Sequence, residues 1–151
     1  MDMSPYDADE VARYQASALN DHAALLRFAF HVEKRDPANP WPQMVYARSA
    51  ASIEERTYYL ERAVEAGRRR LADHESGQGP AMDHKEAKLF RNAHYSLAVA
   101  LAKQGETAAA ARTIASLLEV DPADELNATG MGFTMGIFPT AASTAAARMT
   151  M

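Results

Sequence analysis

The sequence predicts an all-α fold, and three observations support this prediction. Hydrophobic residues make up 48% of the chain, and alanine, the best helix former, dominates them. Apolar residues recur at spacings of three and four, as on one face of a helix. Runs of Val, Ile and Thr that would indicate strands are missing. A chain of 151 residues is long enough to bury a core as one compact domain.

The first two expected helices lie before a proline-rich stretch. One starts at Ser4-Pro5, where Ser suits the N-cap and Pro suits the first turn, and it ends before Asn20. The next covers residues 22–35. It ends where three prolines cannot continue a helix, at Pro37, Pro40 and Pro42.

The next two helices are separated by a capping signal. The third is expected to hold the apolar positions from Met44 to Ala51. Ser52 and Glu55 have the spacing of a capping box, which predicts that a fourth helix begins there and runs on through Leu71.

The last two helices have the clearest start and stop signals. Asp83 caps a fifth helix over residues 85–103, and Gly105 suits a left-handed C-cap. A sixth helix covers residues 107–120 and stops at Asp121-Pro122. The six helices would form antiparallel pairs in one domain over residues 3–124.

Residues 125–151 form a tail rich in Gly, Met and Ala. Its first half, with Gly130, Gly132 and Gly136, is expected to break helices. Residues 141–151 could form a short capping helix. The tail is therefore expected either to be flexible or to cap and dock on another surface.

The stretch from Arg91 to Asp124 places small residues at regular positions on two predicted helices. Ala98 and Ala110 would let the two helices of a hairpin cross closely. In this the stretch resembles a tetratricopeptide repeat, and the residues at the positions of the family's pattern are His94, Leu97, Ala98, Leu101, Gly105, Glu106, Ala110, Ile114, Leu117 and Pro122. His94 departs from that pattern, because a large aromatic residue is commoner at its position.

This resemblance implies an antiparallel helix-hairpin solenoid of about three repeats, with about six helices and a C-terminal capping helix. Asp36-Pro37 and Asp121-Pro122 are farther apart than two ideal repeats would place them. The excess residues fit between Gly67 and Asp83.

The resemblance also implies a concave groove that binds a peptide or a helix of another protein. Tyr95 and Val99 stand where a clamp for chaperone tails has polar or basic residues, so a more apolar ligand is expected. The expected groove residues are Asn92, Tyr95, Val99, Ala102 and Lys103, with Trp41 and Met44 from the middle repeat.

Charge and composition argue against several other classes of protein. The net charge of −4 is unlike the basic face of a nucleic-acid-binding protein. The acidic N-terminal residues are unlike a signal peptide, and no apolar run reaches the roughly 20 residues that span a bilayer. With no cysteine in the chain, we expect a cytoplasmic protein that binds neither nucleic acid nor membrane.

The sequence contains no recognisable catalytic or cofactor motif, so no enzyme, cofactor or metal site is expected. The five histidines lack the i, i+4 spacing that places two ligands on one helix face. The run from Arg68 to Arg70 could bind an anion, but a solvated face near a helix C-terminus is the favoured interpretation.

These observations predict a non-catalytic scaffold that binds another protein. One alternative is a small acidic chaperone of the secretion type, also built of three such repeats. A second is a structural homodimer assembled through its tail or its end face. A third, an enzyme, would need a polar pocket that the sequence does not indicate.

Overall fold

The computed structural model describes residues 22–138, so the expected helices at residues 4–19 and 141–151 lie outside the described part. Within it the chain is all-helical and contains no strand, which confirms the predicted class. The helices are α1 (His22–Arg35), α2 (Trp41–Arg48), α3 (Ile53–Glu75), α4 (His84–Lys103), α5 (Thr107–Val120) and α6 (Ala128–Thr134).

The chain divides into two compact units, with the boundary between Phe90 and Arg91 inside α4. The arrangement of the hairpins as a repeat solenoid stays a prediction. None of the described helices is long and apolar enough to cross a bilayer.

In the first unit, α2 packs against both α1 and α3. Trp41 joins two groups of buried side chains, one containing Phe28 and Val32 and the other containing Ala29, Val45 and Tyr46. The buried face of α3 includes Leu60, Ala63, Val64 and Gly67.

Helix α2 begins and ends earlier than the sequence predicted. Pro42 lies in its first turn, where the missing N–H costs no helical hydrogen bond, and the Asn39 side chain accepts a hydrogen bond from the Trp41 N–H at 3.0 Å. The expected helix through Ala50 and Ala51 is wrong, because α2 ends at Arg48 and these two alanines lie in the connection to α3.

The capping predictions for the next two helices are confirmed. The Ser52 hydroxyl accepts a hydrogen bond from the Glu55 N–H at 3.1 Å, and the Asp83 carboxylate accepts one from the Glu86 N–H at 2.8 Å. These bonds satisfy backbone donors that a helix start leaves unpaired.

In the second unit, the predicted limits of α5 are confirmed. Gly105 has φ +78°, and the Glu106 N–H donates to the Leu101 carbonyl at 2.9 Å, which ends α4 in a left-handed turn. Ala98, Ala110 and Ile114 are fully buried.

The prediction that the first half of the tail breaks helices is wrong, because residues 128–134 form α6 and pack against α5. The Asn127 side chain caps the helix by accepting a hydrogen bond from the Gly130 N–H. A Cβ at Gly132 would overlap the ring of Phe138 and approach Ile114. Close packing, which only glycine allows here, therefore overrides the low helix propensity of Gly132.

Candidate functional site

Four aromatic side chains form a row across α1, α2 and α3 of the first unit, which we call the aromatic row. Phe30 contacts Tyr46, Tyr46 contacts Tyr59, and Tyr59 contacts Tyr58, with ring centroids 5.2, 5.4 and 5.2 Å apart. Phe30 and Tyr58 are 60% and 52% exposed, whereas Tyr46 is buried. The middle of the row therefore lies in the core, and both of its ends reach solvent.

The local sequence explains why the two end rings are exposed. In α1 the buried positions are Ala24, Phe28, Ala29 and Val32, and Phe30 falls outside that stripe at 100° per residue. Tyr58 follows the buried Thr57 and points away from the buried face of α3 in the same way.

A polar cluster, formed by Glu33, Gln43, Tyr46 and Arg62, lies beside the row. The Glu33 carboxylate accepts hydrogen bonds from the Gln43 amide, from the Tyr46 hydroxyl at 3.1 Å and from the Arg62 guanidinium at 3.4 Å. The Arg62 Nε also donates to the Gln43 side-chain oxygen at 3.2 Å. The negative charge of Glu33 is therefore compensated within the cluster.

Two side chains of the cluster, Tyr46 and Arg62, have a raised pKa. Burial, together with the charge of Glu33 and its hydrogen bond, raises the pKa of Tyr46 well above its ordinary value. The hydrogen bond with Tyr58 is the main cause of a raised pKa of Arg62. Tyr46 therefore stays a neutral phenol, and Arg62 stays a cation, at neutral pH.

Arg62 also holds the ring of Tyr58 in place. One guanidinium nitrogen donates to the Tyr58 hydroxyl oxygen at 3.0 Å, and the guanidinium carbon lies 5.6 Å from the ring centroid. This combines a hydrogen bond with a cation–π contact. Because the hydroxyl oxygen accepts this bond, its own proton stays available to another acceptor.

An open depression of about 260 Å³ adjoins the polar cluster. It is lined by Glu33, Pro37, Gln43, Arg62, Glu65, Ala66 and Arg69. No serine, threonine or histidine side chain lines it, so the depression offers no hydroxyl nucleophile and no imidazole base. Its open shape and its polar lining suit binding.

A separate ionic cluster is buried in the same unit and consists of Asp36, Arg70 and Glu86. The Arg70 side chain is 9% exposed and lies 2.6 Å from the Asp36 carboxylate and 3.0 Å from the Glu86 carboxylate. The interpretation of residues 68–70 as a solvated basic face is therefore wrong for Arg70. Arg68 and Arg69 are exposed, as that interpretation expected.

The charges of the ionic cluster oppose the effect of burial on Arg70. Burial acts to lower the pKa of Arg70, but the hydrogen bond with Asp36 and the charges of both carboxylates outweigh it and raise the pKa. For Glu86 burial dominates and raises the pKa despite the opposing effect of Arg70. Ionised Glu86 is thus less favourable in the folded protein than in water.

The groove residues predicted from the resemblance fall into two groups. Asn92, Tyr95, Val99, Ala102 and Lys103 all lie on α4 in the second unit, where the first four are half-buried and Lys103 is exposed. Trp41 and Met44 lie one turn apart on α2 and are half-buried, and the Trp41 ring packs 5.4 Å from that of Phe28. The groove itself stays a prediction.

Two observations on the described residues concern metal-ligating clusters and serine–histidine contacts. No group of three His, Asp or Glu side chains within residues 22–138 could hold a metal ion. The Ser49 hydroxyl lies 3.0 Å from His22 Nε2 and 3.1 Å from the Val45 carbonyl oxygen.

The sequence analysis missed both the aromatic row and the buried position of Arg70. The signal for Phe30 and Tyr58 was their place outside the apolar stripes of two amphipathic helices. The signal for Arg70 was its spacing from Ala63 and Gly67, which puts it on the buried face of α3.

Comparison with protein-family models, with curated proteins and with solved structures finds no significant match. The resemblance of residues 91–124 to a tetratricopeptide repeat therefore stays a prediction from the sequence.

Proposed function

We propose that this protein is a non-catalytic scaffold that binds another protein, and that its helices form hairpins of the tetratricopeptide type. It would act in the cytoplasm without a cofactor. The observation that supports this function best is the aromatic row, which exposes Phe30 and Tyr58 beside a polar cluster whose charges are compensated internally.

Exposed aromatic rings that belong to one contiguous row are candidates for contact with a partner. Large aromatic side chains contribute strongly to protein interfaces, because they bury much area and have few torsions to order. Here the rings are also held in place, since Tyr46 bonds to Glu33 and Tyr58 bonds to Arg62. A partner would therefore meet a pre-organised surface and lose little entropy in ordering it.

The polar groups beside the row favour binding over chemistry. The Glu33 carboxylate accepts three hydrogen bonds from its neighbours, and the raised pKa of Tyr46 keeps that side chain a neutral phenol at neutral pH.

Two surfaces are candidates for the partner. The aromatic row is the first, and the predicted groove face of α4, with Tyr95 and Val99, is the second. The row is the stronger candidate because its end rings are far more exposed than the half-buried side chains of α4.

The test is to identify a partner by cross-linking in the source cells and then to measure the affinity of the purified pair. The double variant Phe30→Ala/Tyr58→Ala should weaken binding about tenfold or more, since interface aromatics are common hot spots. Glu75→Ala, at an exposed position at the end of α3, is the matched control and should bind normally. Equal affinity of the double variant and the control would contradict the proposal for the row.

A homodimer is the second candidate, and Phe133 favours it because its ring is 48% exposed on α6. Light scattering on the full chain tests this. A dimeric mass that becomes monomeric in Phe133→Glu would support the homodimer, and a monomeric mass of the unchanged chain would exclude it.

A further inference from the structure

We infer that the aromatic row binds an extended, proline-containing segment that carries a Lys or Arg; this inference rests on the proposed function. It follows from the charge of the face around Tyr58, from the donors that the face offers and from the shape of the adjoining depression.

The exposed face of α3 next to the row carries two carboxylates without an ion-pair partner. Glu61 and Glu65 lie three and seven residues after Tyr58 and are exposed on the same side of the helix. Neither carboxylate has a hydrogen-bond or ion-pair partner among residues 22–138. The two arginines of this face are paired with other carboxylates, Arg62 with Glu33 at 3.4 Å and Arg69 with Asp73 at 4.0 Å. The charge that complements this face is therefore positive.

The rings and donors of the face favour an extended backbone. A polyproline II segment leaves all its carbonyl groups unpaired and presents flat rings at low entropic cost. The surface supplies matching donors. The Tyr58 hydroxyl accepts from Arg62 and can donate to a ligand carbonyl, and the Arg69 guanidinium, 64% exposed and 4.0 Å from Asp73, has further N–H groups at the edge of the depression. The exposed rings of Phe30 and Tyr58 offer stacking surfaces for proline.

A helical partner fits this surface less well. Its backbone groups are already paired, so it would leave the donors of Tyr58 and Arg69 unused. It would also need a groove that accepts anchors over two or more turns. The open depression of about 260 Å³ is a single small hollow.

The experiment uses a phage library of random 12-residue peptides, selected on the immobilised full chain. The expected result is an enrichment of peptides that contain proline together with Lys or Arg. The best synthetic peptide is then measured by fluorescence polarisation against the variants. Binding should weaken about tenfold in Phe30→Ala/Tyr58→Ala and threefold to fivefold in Glu61→Gln/Glu65→Gln. It should be unchanged in the control Glu75→Gln and should weaken with added salt.

Two outcomes would overturn the inference. Either the enriched peptides lack proline or a basic residue, or the best peptide binds Glu61→Gln/Glu65→Gln as tightly as the unchanged chain. If the binding of the purified cellular partner is still weakened by Phe30→Ala/Tyr58→Ala, only the inferred ligand class is wrong. If the double variant binds that partner normally, the proposed function of the row is wrong as well.

Discussion

Replacing Arg70 by Met should destabilise the protein by about 3 kcal/mol, because it leaves two carboxylates without their cation. Removing one partner of a buried ion pair typically costs about 3–5 kcal/mol. Asp36 and Glu86 keep 20% and 17% of their side chains exposed, so water can partly solvate them and the cost should fall at the lower end. For a chain of this size, the urea midpoint should fall by about 1.5 M, measured by circular dichroism at 222 nm.

Two further variants separate the lost ion pairs from a general effect of substitution. Arg69→Met is the matched control, because Arg69 is 64% exposed and lies 4.0 Å from Asp73; its cost should stay below about 0.5 kcal/mol. Adding Asp36→Asn and Glu86→Gln to Arg70→Met should recover much of the loss, because no unpaired charge remains buried. Equal urea midpoints for Arg70→Met and Arg69→Met would refute the reasoning.

Three other predictions concern stability. Burial raises the pKa of Glu86 in the folded protein, so ionising this carboxyl group lowers the stability of the fold as the pH rises above the ordinary pKa of Glu. The variant Glu86→Gln has no such group and should therefore gain stability relative to the unchanged chain between about pH 4 and pH 7. Urea titrations at each pH measure this difference. Gly67→Ala should lower the free energy of unfolding by about 1–2 kcal/mol, because the overlap of its Cβ with Phe90 outweighs the gain of about 1 kcal/mol in helix propensity; an unchanged melting temperature would contradict this. Ala98→Leu should cost about 1–3 kcal/mol through overpacking of a fully buried position, and Ala102→Leu, at a half-buried position on the same helix, should cost less in the same thermal melts.

The sequence predicted the elements that depend on local signals. The limits of α5 follow from Gly105 and Pro122, and the start of α3 follows from Ser52, since in each case the deciding contacts are made within a few residues. Such contacts need no knowledge of the rest of the fold.

Long-range contacts explain what the sequence did not predict. Helix α6 contains Gly130 and Gly132 and has little helix propensity, but it forms where Asn127 caps it and where it packs on α5. Arg70 is buried because Asp36, 34 residues earlier, and Glu86, 16 residues later, compensate its charge. The aromatic row likewise joins side chains of three helices. A local pattern can indicate that Phe30 and Tyr58 are exposed, but it does not show that they belong to one row.

The most direct test of the central claim is hydrogen–deuterium exchange of the full chain with and without its purified partner. The account predicts slower exchange on binding in the segments that carry the exposed ends of the aromatic row, residues 26–34 and 54–66, together with weaker protection after Phe30→Ala/Tyr58→Ala. Protection confined to residues 91–120 would contradict the account and place the partner on the predicted groove face of α4.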